Sequence, residues 1–205
     1  MINGPSDEYT SKLLLDAEEI ARNKFVDSKA SDDLHITAWR EAYNAFGSKP
    51  SKYLCSVEAL VSRILKGQSL PRINKIVDAY NAVSIKYLLP AGGEDLDKLT
   101  SDLILKVADG NEPFVNIQNG EETTTYPEAG EIIWADPEGV TCRRWNWRQC
   151  LRTALTENTN NAYFVLDRLP PYAAQNLEDA TEELIRHIKA ISPEASIEYE
   201  TLSTV

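Results

Sequence analysis

The sequence predicts an α+β domain, because its texture changes near Pro90. Ahead of that proline, apolar residues recur at spacings of three and four. Beyond it come short segments rich in β-branched and aromatic residues, separated by Gly, Asn, Asp or Pro. A chain of 205 residues suits one such domain and is long enough to bury a real core.

The elements follow in chain order. Residues 6–26 read as a first helix, acidic at its start, with Leu13, Leu14, Ile20 and Phe25 near one face. ITAWREAYNAFG is a second, with Ile36, Trp39, Tyr43 and Phe46 on its apolar side and Gly47 as its stop. In SVEALVSRILKG, Val57, Leu60, Val61, Ile64 and Leu65 form one stripe, Ser51 or Ser56 is available as a cap, and Gly67 closes the helix. A fourth helix, RINKIVDAYNAVSIKYL, follows Pro71 and ends ahead of Pro90 and the pair Gly92-Gly93. DLILKVA, PFVNIQ, GEIIWAD, GVTCRRWNWRQ and NAYFVLDRL then read as strands, and EETTTYPEAGE as an acidic, Thr-rich loop. NLEDATEELIRHIKAI returns to helix with Leu177, Ala180, Leu184 and Ile188 inward. The expected organisation is a helical N-terminal extension over 1–35, a main domain over 36–191 and a C-terminal tail over 192–205.

Charge and composition narrow the function classes. A net charge of -11 and a pI near 4.7 argue against non-specific DNA binding, since the overall field repels phosphate. A local basic groove is still allowed: Arg143, Arg144, Arg148 and Arg152 fall within ten residues and form the densest basic cluster. MINGPSDEYTSK lacks the pattern of a secretory leader, and no apolar run approaches the roughly 20 residues that cross a bilayer, so a cytosolic protein away from membranes is expected. Cys55, Cys142 and Cys150 show no C-x-x-C spacing, and neither His35 nor His187 stands near them. They read as small buried residues, with no metal site, disulfide framework or cofactor expected.

Three stretches contain candidates for chemistry. On the fourth helix Asn74, Asp78 and Asn81 lie within about 60° of one another, beside Tyr80. Such a stripe is either a structural polar face or the wall of a pocket that reads a polar ligand. In LLPAGGEDLDKL, paired glycines permit close approach of another molecule, and Glu94 follows directly; a tight turn is the plainer reading. CRRWNWRQC, read as a strand with period two, puts Arg144, Asn146 and Arg148 on the face of Cys142 and Arg143, Trp145, Trp147 and Gln149 on the other. Its arginines are free to meet a carboxylate or phosphate, or are paired with the chain's many acids. G-x-S-x-G, H-E-x-x-H and the glycine-rich phosphate loops are absent.

LPRINKIVDAYNAVSIKYLLPAGGEDLDKL resembles the B3/B4 domain of the phenylalanyl-tRNA synthetase beta subunit, whose pattern runs R-P-x-N-N-x-V-D-x-T-N-Y-V, then a proline, then H-A-F-D-L-D. The stretch from SVEALVSRILKG through CRRWNWRQCLRT and NAYFVLDRLPP is similar to free-standing B3/B4 proteins, and the resemblance spans roughly 36 to 190. It implies a β-rich, sandwich-like core with flanking helices, and an editing activity that hydrolyses a misacylated tRNA, of phenylalanine/tyrosine type. The alternative is a non-catalytic module of the same fold that holds RNA or an amino-acid-like ligand.

By the same resemblance the family's Thr-Asn pair falls on Tyr80 and Asn81, its histidine on Gly92, its late-strand carboxylate on Asp167, and its glycine-rich segment on RRWNWRQ. Tyr80 and Gly92 depart from the pattern, which puts acceptance of tyrosine and one means of orienting water in question. Asn81, Gly92, Gly93 and Glu94 are then expected to position water and ester. Asn74, Asp78, Tyr80, Trp145, Asn146, Trp147 and Asp167 are expected to shape the substrate pocket. Arg143, Arg144, Arg148 and Arg152 are expected to meet the acceptor end of an aminoacylated tRNA.

Overall fold

A computed structural model, which describes residues 1–202, gives an α+β chain of five α-helices and eight short strands within those residues. Helices α1 (Glu8–Lys24), α2 (Leu34–Ala45), α3 (Ser56–Leu65) and α4 (Lys75–Tyr87) precede the strands, and α5 (Ala174–Ile191) follows them. The strands are β1 (Ala91–Asp95), β2 (Ile104–Val107), β3 (Phe114–Gln118), β4 (Glu121–Thr125), β5 (Ile132–Asp136), β6 (Gly139–Arg143), β7 (Arg148–Gln149) and β8 (Ala162–Leu166).

Local chemistry sets the helix ends. Asp7 caps α1 through a reciprocal pair with Thr10, and the Asp33 carboxylate accepts from the His35 and Ile36 amides to open α2. Neither Ser51 nor Ser56 caps α3; Cys55 occupies that position without a side-chain bond. Gly47 and Gly67 take positive φ just beyond α2 and α3, the conformation that ends a helix at low steric cost.

Helix α4 is the organising element. It packs between α1 and α5, and Ile76, Ala79, Val83 and Ile85 along it are buried. Each large aliphatic side chain so buried contributes about 1.5–3 kcal/mol. Helix α1 packs on α4 and α3, so Leu14, Ala17 and Ala21 join the same core as Ile36, Trp39 and Tyr43 of α2. Segment 1–35 is thus built into the helical layer. Ile20, expected on the buried face, is instead exposed, because the buried face of α1 runs through Thr10, Leu14, Ala17, Glu18 and Ala21. In the tail Ala195 is buried, and residues 203–205 lie outside the described residues.

At the end of α4, Leu88 adopts a left-handed conformation with φ 53°. The His35 ring donates from Nδ1 to the Leu88 carbonyl at 2.8 Å and accepts at Nε2 from the Trp39 indole and the Leu169 amide, both at 3.1 Å. A neutral imidazole meets all three demands, and burial lowers the ring's pKa. This clamp turns the chain from α4 into β1.

The strands form three small antiparallel sheets: β1 with β8, β3 with β4, and the order β2-β5-β6-β7. Two of these strands contradict the sequence reading. AGGED, read as a turn, is β1, because pairing with β8 supplies the backbone partners that two glycines do not themselves favour. EETTT, read as loop, is β4, paired with β3 across the turn at Asn119-Gly120, both with positive φ.

Candidate functional site

GVTCRRWNWRQ is not one strand. Strand β6 stops at Arg143, residues 144–147 turn, and β7 pairs back so that Cys142 faces Gln149 and Arg143 faces Arg148. The period-two faces expected for this stretch therefore do not exist. Arg144 and Trp145 take positive φ, 48° and 66°, which L side chains rarely adopt. A buried carboxylate holds the turn in place. Glu131 accepts from Arg143 Nε at 2.9 Å, from Arg143 Nη2 at 2.7 Å and from the Arg144 amide at 3.1 Å. The Arg144 guanidinium, 2% exposed, sits 3.6 Å from the centre of the Tyr53 ring and 4.9 Å from that of Trp147. Trp145 meets Trp39 edge-on and Trp147 meets Tyr53 likewise.

This hairpin, the β1–β8 pair, α3 and the middle of α4 border a cavity of about 260 Å³. It brings together Tyr80 and Asn81 from α4, Gly92 and Glu94 from β1, Trp145, Asn146, Trp147 and Arg148 from the hairpin, and Asp167 just beyond β8. Residues expected from separate parts of the chain thus border one space. Pairing in β1–β8 sets Gly92 opposite Val165 and Glu94 opposite Tyr163, and the Asp167 amide donates to the Pro90 carbonyl at 3.0 Å.

Other expected residues lie elsewhere. Asn74 caps α4: its side-chain oxygen accepts from the Val77 amide, and its amide nitrogen donates to the Leu155 carbonyl. Asp78 is buried behind the helix, accepting from the Ile73 amide and the Thr10 hydroxyl. Both belong to the polar structural face, the plainer of the two sequence readings. Gly93 does not border the cavity; its carbonyl accepts from Gln149 Nε2 at 2.8 Å, and a Cβ there would lie 2.7 Å from the Phe164 ring. Arg143 and Arg144 are held by Glu131, and Arg152 binds Asp136 at 2.6 Å. Arg148 alone of the four is both exposed and at the cavity, stacked on Trp147 at 4.7 Å.

Electrostatics inside the cavity follow from burial. Glu94 is 1% exposed, its Oε2 has no hydrogen-bond partner among the described residues, and burial raises its pKa. The hydroxyls of Thr153, Thr141 and Tyr163 and the charge of Arg152 only partly offset that. Asp167 is pushed up to about 6 by desolvation, against the pull of Asn146 and the Trp145 indole. Asn146 donates to Asp167 at 3.4 Å and accepts from the Tyr43 hydroxyl at 2.9 Å, which fixes its amide orientation. The Cys142 thiol is raised well above its ordinary range by burial, so it is no ready nucleophile. Burial also raises the Tyr80 and Tyr163 phenols.

Tyr163, Trp134, Gln149 and Ser56 also border the cavity, and the sequence reading missed them. One signal pointed to Tyr163: with period two, it shares a strand face with Val165 and Asp167. Trp134 and Ser56 carried no comparable signal. Among the described residues no group of three His, Cys, Asp or Glu side chains is placed to hold a metal ion, and no helix is long and apolar enough to cross a membrane. Comparison with known proteins gives one family match: the model of the B3/4 domain covers residues 38–199. No curated protein matches the chain.

Proposed function

The chain belongs to the B3/4 domain family, and from that premise we propose that its cavity accepts the aminoacyl end of a misacylated tRNA and hydrolyses the ester. The observation that carries this reading is the convergence of Asn81, Gly92, Glu94, Asn146 and Asp167 on one aromatic-walled cavity with Arg148 at its exposed edge. A volume of about 260 Å³ suits an aminoacyl group and leaves the tRNA outside. Arg148 is then the cation nearest the terminal phosphate.

In the reaction a water oxygen bonds to the ester carbonyl carbon, the bond from that carbon to the ribose oxygen breaks, and the water's proton ends on the ribose hydroxyl. Asn81 and the Gly92 backbone supply hydrogen bonds that orient water and carbonyl, so rate comes from positioning. Trp145 and Trp147 shape the acyl subsite, and Asn146, oriented by Tyr43, faces the Asp167 carboxyl.

Incubation with a panel of correctly and wrongly charged tRNAs, following each released amino acid, tests the reading. The expected result is selective release of one noncognate amino acid and loss of that release in Asn81→Ala. Full hydrolysis by Asn81→Ala would remove Asn81 from the site. A second reading, a binding module without turnover, is favoured by one observation: neither histidine nor a reactive thiol borders the cavity. Binding of charged tRNA without release from any member would establish it.

A further inference from the structure

We propose that Glu94 is a specificity-determining residue whose carboxylate receives a primary ammonium group of the ligand. The inference rests on the cavity assigned above as the ligand site, and does not require that the ligand be hydrolysed.

Three features of the cavity lead to it. First, Glu94 is almost wholly removed from solvent, yet its Oε2 has no partner among the described residues. A buried carboxylate with one oxygen left unpartnered is a costly thing to keep in a fold, and a ligand that completes it recovers that cost on binding. Second, the cavity holds another carboxyl, Asp167, to which the Asn146 amide donates at 3.4 Å. No cation compensates the two from within: Arg152 is paired with Asp136 at 2.6 Å, and Arg148 lies at the exposed edge. Third, the rings of Tyr80, Trp145, Trp147 and Tyr163 border the space, and aromatic faces attract a cation.

A hydroxyl would give Glu94 one hydrogen bond and leave the negative charge uncompensated. An ammonium supplies three donors and a full positive charge, so it fits better. Two sources offer this group: the α-ammonium that every aminoacyl ester carries, and a side-chain amine. Arg148 at the exposed edge meets an anionic end of the same ligand.

Calorimetric titration with four amides of one chain length separates these sources: lysinamide, norleucinamide, 6-aminohexanamide and hexanamide. The expected result is that the amine-bearing compounds bind at least ~10-fold more tightly than hexanamide, a difference of about 1.4 kcal/mol. Whichever of norleucinamide and 6-aminohexanamide binds more tightly names the α- or side-chain amine as the source. Glu94→Gln, which keeps volume and one acceptor, is expected to erase the preference. Glu94→Leu is expected to lose binding while melting at or above the temperature of the natural chain, since it removes an uncompensated charge.

Equal binding of all four amides, no binding of any, or a preference that survives Glu94→Gln would overturn the proposal. Discrimination without release from charged tRNA would sustain it and overturn the deacylase reading. Hydrolysis without amine preference would do the reverse.

Discussion

At Asp167 burial outweighs the donors beside it, and the carboxyl titrates near 6 instead of its ordinary 3.8. The sign of the consequence is set by proton counting. Between those two values the folded chain binds more protons than the unfolded chain, so stability falls as pH rises through that window. Above about 6 the destabilisation is complete, and below 3.8 it is gone. Asp167→Asn, which removes the charge and keeps the shape, is therefore expected to stabilise the chain at pH 7–8 by roughly 1–3 kcal/mol. That gain should vanish by about pH 4, where both states of the natural chain are protonated. Urea unfolding of both proteins across this range measures it. A mutant less stable at pH 8 would mean that Asp167 has a partner strong enough to repay its burial.

Among the elements, the β6–β7 hairpin gives the sharpest dependence on a single residue. Two non-glycine residues with left-handed φ are locally unfavourable, and they persist because Glu131 binds both arginine side chains and the Arg144 amide. Glu131→Ala leaves two buried guanidinium groups without their carboxylate and frees the strained turn. The expected cost is roughly 3–5 kcal/mol, with loss of the near-ultraviolet signal of Trp145 and Trp147. Near-wild-type stability with an unchanged signal would show that aromatic stacking alone holds the turn. This hairpin also marks where the sequence ceased to be legible. The helices were readable because their apolar spacing and their stops at Gly47 and Gly67 are local properties. The reversal at Arg144-Trp145 was not, since it depends on Glu131, a residue outside the stretch. Strand β1 was hidden for a similar reason: Gly92 and Gly93 disfavour a strand locally, and β8, some 70 residues later, supplies the pairing. Some residues that border the cavity could still be named, because the family pattern marks Asn81, Gly92 and Asp167 independently of how the chain folds around them. Tyr163 and Trp134 needed the sheet registers.

For the molecule as a whole, the balance of charge limits how the tRNA of the proposed function could be engaged. The chain carries a net charge of -11, and of its densest arginine cluster only Arg148 is both exposed and at the cavity. Arg143 binds Glu131, Arg144 binds Glu131 and Glu128, and Arg152 binds Asp136, so these three release no counterions from RNA while their pairs stay intact. Each neutralised phosphate of a single strand contributes about -0.7 to the slope of log affinity against log salt. One contact through Arg148 therefore predicts a slope near -1 for a charged acceptor end, whereas four arginines on phosphate would give roughly -3. Fluorescence anisotropy of a labelled aminoacylated oligonucleotide, titrated at several salt concentrations, measures that slope, and Arg148→Ala should bring it close to zero. A steep slope that survives Arg148→Ala would put the RNA contact on another face of the chain. Under the proposed function, a shallow slope would assign most of the recognition to the acyl group in the cavity. On the same proposal, such a chain would discriminate by what is attached to the RNA more than by the RNA itself.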